Sequence, residues 1–273
     1  MKTGAQAGLA VVTGASSGIG AEIARILAGR GLPVLAVARR QEKLEAVAEE
    51  SARSGGAPIH VLALDVTLPE AAMVVREKAR SLGGASWLVN DAGQIRVGPV
   101  KAANPAEQAG LVRLNCEAPV ALCAAIVPDL VSRGAGVVLN VASLSGLQPT
   151  PFYAAYGASK AFLIAYSEAL SEELRGSAVS VTALCPGPVT TGLMAASVPD
   201  RDDHRMTPRE LTARECALAG VLAAERGEAI CIPGTLNRVQ AVVTRLSPRG
   251  LVRRVARRSA LRYIGFDPSK HGA

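Results

Sequence analysis

The sequence predicts an α/β fold: one doubly wound, mainly parallel sheet of seven strands, followed by a basic helical tail. Three observations carry that prediction. Short runs rich in Val, Ile, Leu and Ala alternate with longer stretches of helical period. The runs are apolar throughout, as strands buried on both faces are, rather than apolar at every second residue. Helical stretches separate them, which is the pattern of a parallel doubly wound sheet.

Each element follows in order. LAVVT (9–13) is a strand and IGAEIARILAGRG (19–31) a helix. PVLAVA (33–38) is the second strand and QEKLEAVAEESARSG (41–55) the second helix. IHVLALDV (59–66) is the third strand, and the helix after it, 69–83, has a proline at its start, where a missing N–H leaves no bond unmade. SWLVN (86–90) is the fourth strand, and residues 105–134 form one long helix, bent or relaxed near Pro119. VVLNVAS (137–143), a helix over 155–176, SVTALCP (180–186), a helix over 208–227 and EAICIPG (228–234) complete the sheet. Residues 194–207, MAASVPDRDDHRMT, are polar and lack a period. A loop of that length in a compact domain is commonly a functional lid. With no repeat and no linker inside the body, the expected units are 1–234, catalytic, and 235–273, a basic extension.

The chain has 273 residues, 49% hydrophobic and 19% charged, enough for one large buried α/β domain. Aromatic residues make up 3%, too few for the exposed rings of a carbohydrate or single-stranded nucleic-acid platform. Cys116, Cys123, Cys185, Cys216 and Cys231 form no C-x-x-C pair and no zinc spacing. Each lies in an apolar stretch, so they read as buried free thiols of a reducing compartment. MKTGAQAG leads directly into a strand-sized run with no cleavage pattern, and no uncharged apolar run approaches ~18 residues. The expectation is a cytoplasmic protein with no metal and no spanning helix.

TGASSGIG (13–20) follows the first strand and opens the first helix. Gly14, Gly18 and Gly20, with Ser16, Ser17 and Ile19, allow a tight turn that brings a pyrophosphate against the N–H groups of the helix end. The spacing is G-x-x-x-G-x-G rather than G-x-G-x-x-G, so its place on the first strand–helix unit is what marks a nucleotide site. About twenty residues on, an NAD site would carry an acid for the ribose 2′-hydroxyl. Here Arg39 and Arg40 occupy that place, and no acid appears before Glu42. Guanidinium forks suit a 2′-phosphate, so the cofactor expected is NADP(H) in preference to NAD. Asp65, beside Val66 at the third strand's end, either accepts from the adenine amino group or caps the next helix. Asn90 ends the fourth strand, and Ala92 and Gly93 are small enough for a cofactor to pass close.

Ser143 ends the fifth strand, and YGASK (156–160) opens the next helix. Tyr156 and Lys160, at i and i+4, point the same way at the carboxyl edge of the sheet, where such folds bind ligands. A free tyrosine titrates near 10, and lowering that by ~3 units requires about 4 kcal/mol. One ammonium ~4.5 Å away supplies about 3.7 kcal/mol at an effective dielectric near 20. Gly157, Ala158 and Ser159 leave room for substrate and cofactor. Tyr153 has Gly157 at i+4 rather than a lysine.

From Ala10 to about Gly234 the sequence resembles the short-chain dehydrogenase/reductases, a family of Rossmann-type oxidoreductases. TGASSGIG looks like the family's cofactor loop. NDAG resembles its N-N-A-G, with Asp91 departing at the second place. Ser143, Tyr156 and Lys160 fall at its active-site spacing of thirteen and four, and Asn115 in LNCEAP matches its fourth catalytic residue. PGPVTT (186–191) is similar to its P-G-x-V-x-T, which brings in Pro186, Gly187 and Val189 and makes Thr191 the candidate for the nicotinamide carboxamide. The resemblance implies that Tyr156 is the general acid in carbonyl reduction and Ser143 polarises the carbonyl. It implies that Lys160 holds the nicotinamide ribose and lowers the tyrosine pKa, and that Asn115 holds a relay water. It also implies a homodimer or homotetramer built on the helices 105–134 and 155–176.

Leu144, Leu147, Pro149, Phe152, Tyr153, Leu193 and Met194 flank the site in sequence. They suggest either an apolar pocket for a hydrophobic ketone or aldehyde, or the packing of a lid. Two functions fit: an NADP(H)-dependent oxidoreductase interconverting a carbonyl and an alcohol, and a non-catalytic NADP(H)-binding sensor or scaffold. The complete set Asn115, Ser143, Tyr156 and Lys160 favours the enzyme.

The tail differs in charge. From Leu236 onward there are nine basic residues and one acid, Asp267, a net +8 against +7 for the whole chain, so the first 235 residues carry −1. Val239, Val242, Val243 and Leu246 have helical spacing, and Arg253, Arg254, Arg257 and Arg258 follow Pro248 on a second helix. A basic amphipathic helix of this kind rests on an anionic membrane surface, packs in an oligomer or is simply solvated. A nucleic-acid partner is disfavoured, because the stretch has one aromatic and no nucleic-acid motif.

Overall fold

The computed structural model describes residues 8–190 and 210–264. Seven strands form one parallel sheet in the order β3-β2-β1-β4-β5-β6-β9. They are β1 (Leu9–Thr13), β2 (Val34–Ala38), β3 (Ile59–Ala63), β4 (Ala85–Asn90), β5 (Gly136–Val141), β6 (Val179–Leu184) and β9 (Ile230–Cys231). The winding reverses between β1 and β4, so a crevice opens there at the carboxyl ends of the strands. β7 (Val189–Thr190) and β8 (Leu211–Thr212) make a separate parallel pair that the sequence did not announce. Two residues carry no period.

Helices cover both faces. One face carries α1 (Gly18–Gly29), α2 (Gln41–Arg53) and α7 (Ala213–Glu225), packed on Ala10, Val12, Val34 and Ala36. The other carries α3 (Ala71–Ser81), α5 (Ala118–Arg133) and α6 (Ala154–Glu173), packed on Leu9, Val11, Leu35 and Val37. Neighbouring strand residues thus serve opposite cores, which is why the strands read as apolar throughout.

Several boundaries move, and three of them matter for the site. β5 stops at Val141, so Ser143 lies in the loop beyond the strand, where it caps a 3-10 turn, Leu144–Leu147. β3 stops at Ala63, which leaves Asp65 and Val66 in the following loop. The long helix is three pieces: α4 (Pro105–Val112), a π-turn over Arg113–Glu117, and α5. The relaxation lies just ahead of Pro119, which sits in the first turn of α5, where a proline is tolerated. Elsewhere α3 begins at Ala71, past Pro69, and α7 begins at Ala213, behind a capping box of Thr212 and Glu215. β9 is two residues rather than seven.

The run 105–133 is long and apolar enough to cross a membrane by length and composition, yet half of its most apolar window is buried in the protein. Leu122, Ile126 and Leu130 pack it into the core. All five cysteines are free thiols, four buried and Cys116 partly so. The tail forms α8 (Thr235–Leu246) and α9 (Arg249–Ile264), divided at Ser247 and Pro248 as the spacing predicts. α8 packs on the 3-10 turn 144–147.

Candidate active site

The loops at the reversal point are tied together by Thr13. Its hydroxyl accepts from the N–H groups of Asp91 and Ala92, each at 3.2 Å, and donates to Val89 O at 3.2 Å. α1 opens directly after that strand, with extended Ser17 at its N-cap and no acidic residue in its first turn. The positive end of the helix therefore faces the crevice. Asp91 approaches it from the opposite loop: Oδ2 accepts from Gly20 N at 2.9 Å. Gly20 must stay a glycine here, since a Cβ would stand 2.5 Å from that oxygen. Burial pushes the Asp91 carboxyl up to about 7, opposed by the charge of Lys160 and by the Gly20 N–H.

The two arginines take different places. Arg40 Nη2 donates to Ser16 Oγ at 3.0 Å and Ser17 Oγ at 3.2 Å, so its guanidinium lies on the glycine-rich loop. Arg39 stands toward Asp65. That carboxylate accepts from Thr67 N at 2.9 Å and Thr67 Oγ1 at 2.7 Å. Burial opposes its charge, but the Thr67 bonds and the Arg39 charge hold it below the usual carboxylate range. Asp65 thus closes a local turn onto Thr67 and does not cap α3, whose N-cap is Glu70. Val66 is buried behind it.

Asn90 is held inside the sheet. Its Nδ2 donates to Asn140 Oδ1, its register partner on β5, at 2.8 Å. Asn140 Nδ2 donates to Ser167 Oγ at 2.9 Å, and Ser167 to Leu163 O at 2.6 Å. The Asn90 side chain belongs to this buried ladder.

Tyr156 lies in the first turn of α6, buried, with Lys160 buried one turn later. Lys160 Nζ donates to Val141 O, the last carbonyl of β5, at 2.7 Å. It stands 5.8 Å from the centre of the Tyr156 ring. Burial lowers the Lys160 pKa, and the Asp91 carboxylate works against that shift. Ser143 Oγ accepts from Ser145 N at 3.1 Å as cap of the 3-10 turn. That turn lies flat on α6 at the lysine: a Cβ on Gly146 would be 2.7 Å from Ala161 N. Leu144 N donates to Pro186 O at 2.7 Å, which joins the Ser143 turn to the segment Pro186–Val189.

Asn115 sits in the π-turn, fully buried. Its Oδ1 accepts from Gln94 N, and its Nδ2 donates to Gln94 O and Ser159 Oγ, all at 3.0 Å. Ser159 Oγ in turn donates to Tyr156 O at 2.7 Å. The side chain is thus a clamp between the NDAG loop and the turn that holds Tyr156. Gln94 and the Ser159 hydroxyl were missed by the sequence reading, which took Ser159 only as a small residue.

Tyr156 is surrounded by Ile95, Leu111, Val97, Tyr153 and Ala155. Ile95, Val97 and Leu111 were not foreseen, because they reach the tyrosine through the fold alone. The Tyr153 and Tyr156 ring centres are 6.5 Å apart. Leu144 is buried nearby, and Phe152 has φ +72°, a left-handed conformation costly for a bulky side chain. Its carbonyl accepts from Gly98 N at 2.7 Å, which pins the segment ahead of Tyr156 to the loop beyond Ile95. Thr191, Leu193, Met194 and the expected lid at 194–207 lie outside the described residues.

Gly187 makes an unexpected contact with the tail. A Cβ on it would stand 2.5 Å from Asn237 of α8. Asn237 is buried; its Nδ2 donates to Pro233 O at 2.9 Å, and its Oδ1 has no partner among the described residues.

Residues 8–202 match the short chain dehydrogenase family. A short chain dehydrogenase of Pseudocercospora fijiensis is 36% identical over 191 residues, 68% of this chain and 61% of that protein. Human 17-beta-hydroxysteroid dehydrogenase type 3 is 37% identical over 186 residues, 67% of this chain and 60% of that protein. The match thus spans about three fifths of these two relatives. A short-chain dehydrogenase from Sphingobium yanoikuyae, solved in complex with NADPH, superposes with a TM-score of 0.77 at 30% identity, covering 86% of this chain and 92% of that one. With the parallel sheet, the glycine-rich turn and the Ser143, Tyr156 and Lys160 constellation, these matches place the chain in the short-chain dehydrogenase/reductase family.

Proposed function

We propose that the chain is an NADP(H)-dependent oxidoreductase that interconverts an apolar ketone or aldehyde and the corresponding alcohol. The observation that carries this reading is the Tyr156–Lys160 pair. A buried ammonium, anchored on Val141 O, stands 5.8 Å from the tyrosine ring at the mouth of the crevice. A positive charge held on that side of the ring favours the tyrosine oxygen that has given up its proton.

The site fits a dinucleotide. The first turn of α1 and the Ser16–Ser17 loop suit the pyrophosphate, and Arg40, lying on those serines, suits a 2′-phosphate. Gly93 leaves room beside Lys160, which would hold the nicotinamide ribose; a Cβ on Gly93 would be 3.6 Å from Nζ. The cofactor supplies or accepts the hydride. In reduction, Tyr156 gives its hydroxyl proton to the carbonyl oxygen while Ser143 donates a hydrogen bond to the same oxygen. Lys160 keeps a positive charge beside the oxygen left on the tyrosine. Asn115 positions rather than reacts, since both ends of its amide are held by Gln94 and Ser159. The cluster of Ile95, Val97, Leu111 and Tyr153 supports an apolar substrate, as does the steroid named for the human relative.

An assembly through α6 is part of the same reading. Phe162 is exposed and stacks on Tyr166, ring centres 6.1 Å apart, leaving an aromatic face outside the core. Sedimentation at micromolar concentration should give a dimer or tetramer, and a monomer throughout would count against it.

Titrating NADPH and NADH tests the cofactor, and a turnover screen of apolar ketones and alcohols tests the reaction. NADPH should bind tighter by about 1.5–3 kcal/mol, and Arg40→Ala should narrow the gap. Equal affinities would remove the NADP reading. Tight cofactor binding without turnover on any carbonyl would leave the sensor or scaffold.

A further inference from the structure

We propose that α8 and α9 form a docking surface for an anionic lipid bilayer. α8 is turned inside out relative to a core helix. Its inner face presents Asn237, 1% exposed, to the body. Its outer face presents Leu236, Val239, Val242, Val243 and Leu246, 49–80% exposed. On a helix these five fall within an arc of about 120°, a continuous apolar stripe. Leu251 and Val255 of α9 are also more than half exposed. Aliphatic surface gathered this way on one element marks an interaction site.

Charge chooses the occupant. Arg238 and Arg245 edge the stripe on α8, and Arg249, Arg253, Arg254, Arg257 and Arg258 line α9. No acid occurs from residue 229 to residue 264. A second copy docking here by a two-fold axis would set these seven arginines against the same seven with no carboxylate between them. A nucleic acid would answer the charge and leave the stripe in water. A bilayer with anionic headgroups answers both: the aliphatic side chains enter the headgroup–acyl boundary and the guanidinium groups stay at the phosphates.

The proposal stands on the tail and does not depend on the reductase reading. It has a consequence for it, because the inner side of α8 rests on the 144–147 turn and on Gly187. Docking would bring a lipid surface to the element that supports Ser143 and Leu144.

Full-length protein should float with vesicles of phosphatidylcholine and phosphatidylserine, about 3:1, at least tenfold more than with phosphatidylcholine alone, and salt should weaken the binding. Val239→Asp with Val243→Asp should abolish it. Arg254→Gln with Arg258→Gln should weaken it about twenty-fivefold, near fivefold for each arginine. All four positions are exposed, so unchanged circular dichroism and NADPH affinity are expected of both variants. Equal flotation on the two vesicle types, or flotation retained by the double aspartate variant, would overturn the proposal. So would sedimentation showing that the aspartates split an oligomer, which would identify the stripe as a protein interface.

Discussion

In α1 the apolar residues Ile23, Ala24 and Leu27 face the sheet and are buried, whereas in α8 the apolar residues face outward and Asn237 is turned in. The two regions also treat arginine differently. In the body Arg76 and Arg80 share Asp129, Arg25 bridges Glu22 and Glu50, and Arg30 meets Glu225. Among the described residues no tail arginine pairs with a carboxylate, and none is available in the tail's own helices. The body satisfies its own surface. The tail is held by a few inner contacts and leaves its apolar and cationic groups for something else. A helix gains most of its stability from burying an apolar face, so this one is incomplete as it stands.

The largest effect that separates the regions belongs to Lys160. Lys160→Ala should lower turnover by about 10²–10⁴, weaken NADPH and shift the remaining activity to higher pH, with vesicle flotation unchanged. Loss of flotation in that variant would break the separation. Next is the contrast within α8. Asn237→Ala should cost about 1–3 kcal/mol in calorimetry and loosen Gly187, while Val243→Asp should stay within about 0.5 kcal/mol. Equal costs would mean that the stripe is not a free surface.

Asp91 sharpens the comparison through pH. Burial raises its carboxyl to about 7, so the folded protein holds that proton to higher pH than the unfolded chain does. That contribution is complete below the unfolded value near 4 and is lost as the pH rises through about 7. Asp91→Asn should therefore be more stable than wild type by on the order of 2 kcal/mol at about pH 8, with the gain shrinking as the pH falls and gone below about pH 4. A gain independent of pH would point to packing instead. The smallest effect is at Asp129, held below the usual carboxylate range by Arg76 and Arg80. Asp129→Asn should cost about 1 kcal/mol near pH 7, after allowance for solvent screening. Because that pKa is depressed, the difference should fade as the pH drops below about 4.

Much of this was legible in the sequence. β1 to β6 stand out because most of their residues are Val, Ile, Leu or Ala, as strands packed between two helical layers require, and YGASK stands out because small residues leave a Tyr and a Lys alone on one helix face. What escaped the sequence depends on neighbours far along the chain. The partner of the Asn90 side chain, Asn140, lies fifty residues away and comes opposite it only across the β4–β5 register. Ile95 and Leu111 join Tyr156 only when the NDAG loop and α4 fold over α6. The π-turn at Asn115 has no composition of its own, and Pro119 pointed a few residues past it. The inversion of α8 was invisible because a hydrophobic period says that one face is apolar, not which way the face is turned.

Tyr156 is the most direct test. Tyr156→Phe keeps the ring among Ile95, Leu111 and Tyr153 and removes one hydroxyl. The measurement is single-turnover hydride transfer from NADPH to any ketone found in the screen, together with NADPH affinity. Affinity should be nearly unchanged, because Lys160 and the glycine-rich loop hold the cofactor, while transfer should fall by about 10²–10⁴. Transfer near the wild-type rate would contradict the account and leave a cofactor-binding fold without this mechanism.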